Sequence, residues 1–116
     1  MNIEYLGAKI FLDEINASQQ IWVAKNSYGS IYTPQLNEPL LSLPVFSNRE
    51  KVEAFLNSAR LVGPASEPHA IPLGEFTLTW LNDPQRAIGE LQINPDGRSS
   101  RVLVMTKEEF QEAQTS

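Results

Sequence analysis

The chain has 116 residues, with 9 lysines and arginines against 14 aspartates and glutamates, a formal net charge of −5 and no cysteine. The acidic balance argues against a nucleic-acid partner, because phosphate binding draws on clustered basic residues, and the lack of cysteine excludes disulfides, thiol nucleophiles and thiolate zinc sites. We expect one globular domain over residues 1–110 and a flexible tail over residues 111–116. We expect a cytoplasmic protein, since the N-terminal segment shows neither a secretory signal nor a long apolar run.

The first half of the chain predicts one helix followed by three strands. Apolar residues recur at helical spacing from Ile3 to Ala17, in the order Ile3, Leu6, Ile10, Phe11 and Ile15. The runs Ile21–Ala24 and Ser30–Thr33 flank a turn at residues 26–29 and predict a hairpin. A third strand is predicted over Leu40–Phe46, and its Pro44 fits an edge or a bulge better than a central strand.

The stretch from Leu43 to Phe55 carries the clearest local signal, because an apolar strand pattern runs directly into a helix start. Ser47 followed by Glu50 has the spacing of a capping box, so we expect a helix from about Asn48 and assign both polar side chains to holding its end. The residues at helical spacing that would form its apolar face are Val52, Phe55, Leu56 and Ala59.

The second half predicts two further helices and a second hairpin. A proline-rich connector leads to a short edge strand near Ala70–Leu73. The segment Leu73–Leu81 follows, and its residues Phe76–Trp80 have the propensity of a strand. We favour a helix there, because Leu73, Phe76, Trp80 and Leu81 would share one buried face. Ala87–Ile93 and Arg101–Met105 flank a strong turn signal at residues 94–97. Thr106 with Glu109 forms another capping-box pattern that would open a helix over Lys107–Ala113.

This order of elements predicts an α+β fold. The hairpins require antiparallel neighbours, whereas the intervening helices allow parallel ones, so the sheet should be mixed. We therefore expect a single domain in which a mixed β-sheet with two hairpins packs against about four helices.

Several of these short patterns resemble a known bacterial family. The combination of Phe11-Leu12 and Ile15 ahead of Ile21-Trp22, then Gly29, then Leu43-Pro44-Val45-Phe46-Ser47 with Glu50 resembles domain of unknown function 2750. The Leu43–Ser47 segment and Asn94-Pro95 are also similar to the N-terminal domain of SseB-like proteins. The resemblance implies a small cytoplasmic α+β domain and supplies no catalytic residues, cofactor or metal site.

One histidine is the main candidate for catalysis. His69 would be the natural general acid or base near neutral pH, with Glu67 or Glu75 beside it in a cleft along the proline-rich connector, as in a small hydrolase or lyase. The alternative is that His69 is an exposed loop residue without a role. No second histidine is present for a metal site. The carboxylates, Glu14 and Glu90 among them, are assigned to solvated faces and helix caps.

Two tyrosines are the main candidates for a binding surface. Tyr28 and Tyr32 lie at and just beyond the first hairpin turn, where an amphipathic ring can contact a partner or pack on the sheet. The sequence therefore favours a non-catalytic module that binds another protein or itself, without a cofactor and without nucleic acid or membrane as partner. The enzyme with His69 remains the alternative.

Overall fold

A computed structural model describes residues 3–25, 35–37, 40–58, 66–83, 88–96 and 102–115. The helices are α1 (Ile3–Ser18), α2 (Arg49–Ser58), α3 (Leu73–Glu75), which continues as a π-helical turn over Phe76–Trp80, and α4 (Lys107–Thr115). The strands are β1 (Gln20–Lys25), β2 (Gln35–Asn37), β3 (Leu40–Val45), β4 (Glu67–Pro72), β5 (Ile88–Ile93) and β6 (Leu103–Thr106). The predicted α+β fold with a mixed sheet is confirmed.

The strands form two sheets that meet at one bridge. β2, β3, β5 and β6 lie in that order, and β3 and β5 are parallel while the outer pairs are antiparallel. β1 pairs antiparallel with β4. Trp22 and Phe46 exchange two backbone hydrogen bonds of 2.9 Å, which attach β1 to the end of β3. β2 pairs only with the start of β3, and β1 lies on the same side of β3 at its end.

Pro44 lies within β3 at a point where its missing amide costs little. The Val45 carbonyl accepts from the Asn94 amide on the β5 side, and Phe46 bonds to β1 on the other side. Because backbone groups alternate sides along a strand, the nitrogen of Pro44 points away from β5. β2 pairs only with Leu40 and Leu41, so Pro44 falls between the end of β2 and the bridge to β1. Pro44 therefore lies in an inner strand, but its nitrogen faces a side of β3 where no described strand pairs at that position, as it would at a sheet edge.

One face of the sheets carries three helices and the main core. Phe11 and Ile15 of α1 and Phe110 of α4 are fully buried there, and the ring of Phe76 packs edge-on against Phe110 with centroids 5.6 Å apart. The buried strand residues of this core are Ile21, Val23, Leu43, Val45, Ile71, Ile88, Leu91 and Ile93. Ile10, predicted for the buried stripe of α1, is instead 54% exposed, because the helix turns it away from the sheet.

The opposite face carries α2, which lies over β1 and β4. Val52 and Phe55 of α2 are buried against Ala24 and Phe46, with Trp22 packed beside them. The Phe46 and Phe55 rings lie 5.3 Å apart. Burial of such aromatic side chains contributes about 1.5 to 3 kcal/mol each, so this second cluster fixes α2 on the sheet.

The predicted helix over Leu73–Leu81 is present, with a π-helical turn in its second half. The Leu81 amide donates to the Phe76 carbonyl at 3.1 Å, five residues back, and the Thr77 hydroxyl bonds to the Leu73 carbonyl at 2.9 Å. The wider turn lets consecutive Trp80 and Leu81 both face the core. The four predicted core residues of this helix are all buried: Leu73, Phe76, Trp80 and Leu81.

Other predicted elements differ in extent. The second strand of the first hairpin lies outside the described residues, and the described partner of β1 is β4. β4 begins at Glu67, so the segment predicted as a short edge strand is longer. The second hairpin is confirmed as β5 and β6. α4 runs to Thr115 and includes most of the segment expected as a tail.

Candidate functional site

A polar network lies where the parallel strands β3 and β5 end. The Ser47 amide donates to Oδ1 of Asn94 at 2.9 Å, and Nδ2 of Asn94 donates to Oγ of Ser47 at 3.2 Å. The Ser47 hydroxyl in turn donates to Oε1 of Glu14 on α1 at 2.9 Å. The carboxyl ends of parallel strands are a common position for binding sites in α/β sheets, so this end of the sheet is a candidate site.

The structure corrects the predicted cap of α2. Oδ1 of Asn48 accepts from the Lys51 amide at 2.9 Å, the geometry of an N-cap, and α2 begins at Arg49. Ser47 lies one residue too early to cap the helix and bonds to Glu14 and Asn94 instead. The predicted capping box was therefore wrong, since asparagine and serine are both strong N-cap residues and sequence spacing selected the wrong one.

The network links structural elements, and its polar groups are engaged in hydrogen bonds with one another. Ser47 is only 3% exposed, and its hydroxyl is engaged as donor and as acceptor. Nδ2 of Asn48 donates to the second oxygen of Glu14 at 3.3 Å, which also places a negative group at the positive end of α2. Glu14, Ser47 and Asn94 thus join α1, the β3–α2 connection and β5.

A second polar group lies on the α2-bearing face of the sheet. The hydroxyl of Ser42, which is 2% exposed, donates to Oε2 of Glu90 at 2.7 Å and accepts from Nε2 of Gln92 at 3.0 Å. Oε1 of Glu90 accepts no hydrogen bond from a described residue. One carboxylate oxygen of the half-buried Glu90 can therefore accept a hydrogen bond from a further group. No described lysine or arginine pairs with Glu90.

The β5–β6 half of this face is open. Glu90 lies opposite Thr106, and Gln92 lies opposite Val104, so these side chains share the face with Ser42. Val104 is 49% exposed, and Val102 just before β6 is 36% exposed. None of the described helices buries its apolar side chains here. We call the surface formed by Glu90, Gln92, Val104 and Thr106 the open face.

The residues of the predicted catalytic group are not joined to one another. His69 lies in β4 opposite Val23 and is half-buried on the main-core side, not in a loop. Glu67 is exposed two residues earlier in the same strand, and Glu75 is exposed on α3. No hydrogen bond or ion pair links these three described residues. Their arrangement offers no acid–base pair.

The predicted binding residues Tyr28 and Tyr32 lie outside the described residues. Within the described ranges, no group of three or more histidine, cysteine, aspartate or glutamate side chains is arranged to hold a metal ion. Across the same part of the chain, no helix combines the length and the apolar character needed to cross a membrane.

Sequence reasoning missed both polar groups, although part of the signal was present. Glu90 and Gln92 alternate with buried residues in an otherwise apolar strand, which marks a two-sided strand with one polar face. The partner Ser42 is 48 positions away and Glu14 is 33 positions from Ser47, and no local pattern joins such distant residues. The parallel pairing of β3 with β5 brings Ser42 to Glu90, and the packing of α1 at the end of the sheet brings Glu14 to Ser47.

Within the described residues these features define a class: an α+β domain with a mixed sheet, helices over one face, one helix over part of the other, and a half-polar open face beside the outermost strand. The chain belongs to the family described as "Protein of unknown function (DUF2750)", whose profile matches residues 8–113. The predicted resemblance to this family is confirmed. No match is found among the curated proteins.

Proposed function

We propose that this protein is a small cytoplasmic binding module that contacts another protein, a second copy of itself included, through edge strand β6 and the open face. The observation that carries the proposal is a pair of exposed valines, Val104 in β6 and Val102 just before it, at the outermost described strand of the sheet. An edge strand that exposes apolar side chains is an ordinary site for adding a partner strand.

The composition of β6 supports the same proposal. Leu103–Thr106 contains no proline and no charged residue, and these are the devices that usually protect an edge from pairing. Leu103 and Met105 are half-buried on the other face. A strand added to β6 would therefore extend the main core on one side and cover Val104 on the other.

Two further proposals accompany this one. The tyrosines Tyr28 and Tyr32 are proposed to add an aromatic contact surface, because the sequence predicts a hairpin turn there and aromatic rings suit protein recognition. The order of elements around Leu43–Ser47 and Asn94-Pro95 supports a proposed relationship to the N-terminal domain of SseB-like proteins. No described contact supports an enzyme that uses His69.

The test compares two exposed apolar positions. Val104→Lys places a charge on the open face, whereas Leu78→Ser changes a residue that is 73% exposed on the π-helical turn. Sedimentation equilibrium measures self-association and quantitative pull-down measures partner capture, with urea unfolding as the check on folding. We expect Val104→Lys to reduce association and Leu78→Ser to preserve it.

An equal effect of both substitutions, or none from Val104→Lys, would remove β6 from the proposal. The double substitution Tyr28→Ser and Tyr32→Ser tests the aromatic surface separately, and unchanged association in this variant would remove the tyrosines.

A further inference from the structure

Resting on the proposed function, we infer that the partner of β6 is an extended segment whose side chains alternate between apolar and basic. The exposed valines alone do not define the chemistry of this partner. It follows from what lies on the two faces of the sheet beside β6 and from the charge around the end of that strand.

The apolar half of the preference comes from the core side of β6. Leu103 and Met105 are half-buried and pack against the main core. Side chains of a strand paired with β6 alternate between the faces, so every second residue of the partner would lie beside this pair. Apolar side chains at those positions would extend the core cluster and remove both residues from water.

The basic half of the preference comes from the open face. Oε1 of Glu90 has no described hydrogen-bond partner, while Oε2 is fixed by the hydroxyl of Ser42 at 2.7 Å. Glu90 lies one strand inward from Thr106, so a partner residue opposite Thr106 stands two strand spacings away, about 10 Å. A lysine or arginine can cover that distance over the small Thr106 side chain.

The surroundings have the matching charge. α4 follows β6 directly, and its exposed acidic residues Glu108, Glu109 and Glu112 outnumber the single basic residue, Lys107. The whole chain carries −5. Two copies paired edge to edge through β6 would both carry this negative charge, which disfavours a second copy and favours a basic partner.

The experiment uses three synthetic peptides of five repeats: Val-Lys, Val-Gln and Val-Glu. Isothermal titration calorimetry measures each affinity, and amide chemical shifts of Leu103–Thr106 report whether the peptide contacts β6. We expect the Val-Lys peptide to bind most tightly and to weaken as salt rises. Glu90→Gln should weaken the Val-Lys peptide by about 5-fold and leave the Val-Gln peptide unchanged.

Glu75→Gln is the matched control, because it removes one negative charge from an exposed position on α3. Equal weakening by Glu90→Gln and Glu75→Gln would overturn the role of Glu90. Binding at β6 without preference among the peptides, or dimerisation of the unmodified chain through β6, would overturn the basic partner and leave the proposed function in place. If no peptide shifts the β6 amides, both the inference and the use of β6 are overturned.

Discussion

The hydroxyl of Ser47 donates to Oε1 of Glu14 at 2.9 Å across 33 positions of the chain. This bond joins the first helix to the loop between β3 and α2, and the same hydroxyl accepts from Asn94 at the end of β5. Three segments that are distant in sequence therefore depend on one buried oxygen atom. The stability of the domain should respond accordingly when any partner is removed.

Ser47→Ala tests this dependence. The change leaves Glu14 and Asn94 without their shared partner, and we expect the free energy of unfolding to fall by about 1 to 3 kcal/mol. A double-mutant cycle of Ser47→Ala with Glu14→Ala, which removes the acceptor, should give a coupling energy of about 0.5 kcal/mol or more in urea unfolding. Asp13→Asn is the control, because Asp13 is exposed and its pair with Lys9 contributes at most about 1 kcal/mol. Strictly additive effects at positions 14 and 47 would contradict the network.

Substitutions at the start of α2 distinguish the observed cap, Asn48, from the predicted capping box of Ser47 and Glu50. Asn48→Ala removes the acceptor for the Lys51 amide and should cost about 1 kcal/mol, whereas Asn48→Ser keeps a capping oxygen and should cost less. Glu50→Ala should change stability by no more than about 0.5 kcal/mol, because Glu50 is exposed and does not reach back to the cap. Urea unfolding measures all three variants. A larger loss of unfolding free energy from Glu50→Ala than from Asn48→Ala would show that the predicted capping box is the true cap.

Asn94 combines a side-chain role with an unusual backbone. Its φ of 46° lies in the left-handed region, which asparagine and glycine tolerate better than alanine. Asn94→Gly and Asn94→Ala both remove the two hydrogen bonds to Ser47, but only alanine adds backbone strain. We expect Asn94→Ala to be less stable than Asn94→Gly by about 1 kcal/mol, as measured by thermal and urea unfolding. Equal stability of the two variants would show that alanine at position 94 adds no backbone strain.

Gln19 ends α1 with the same backbone conformation. Its φ is 59°, its amide donates to the Ile15 carbonyl at 2.7 Å, and its carbonyl accepts from the Leu73 amide at 3.0 Å. Glycine is the usual residue at such a helix end. Gln19→Gly should therefore raise the free energy of unfolding by about 0.5 to 1 kcal/mol, and Gln20→Gly, in a strand, should lower it. A loss of stability in Gln19→Gly would show that its side-chain bond to the Asn16 carbonyl outweighs the backbone gain.

Elements that depend on local spacing could be predicted from the sequence. The Thr106 and Glu109 capping box is present in full, with the Thr106 amide bonded to Oε1 of Glu109 at 2.8 Å and the Glu109 amide bonded to Oγ1 of Thr106 at 3.0 Å. The buried face of the Leu73–Leu81 helix was also predictable, because its four apolar residues are close in sequence. The π-helical turn was not, since no propensity distinguishes it from an α-helical turn.

Features that depend on long-range pairing could not be predicted. Ser47 and Glu50 have the local spacing of a cap, but tertiary contacts with Glu14 and Asn94 take Ser47 elsewhere. His69 was expected in the connector, and pairing with Val23 draws it into a strand. The polar group of Ser42, Glu90 and Gln92 exists only because β3 and β5 are neighbours, and the sequence left that pairing open.

The parallel pairing of β3 with β5 also determines when this domain can fold. Ser42 and Glu90 meet across 48 positions, and such non-local contacts must overcome loop-closure entropy before they contribute stability. The central strand pair cannot form while β5 is still being synthesised. We therefore expect the sheet to close only after β5 has left the ribosome, with folding slower than that of a helical protein of similar length.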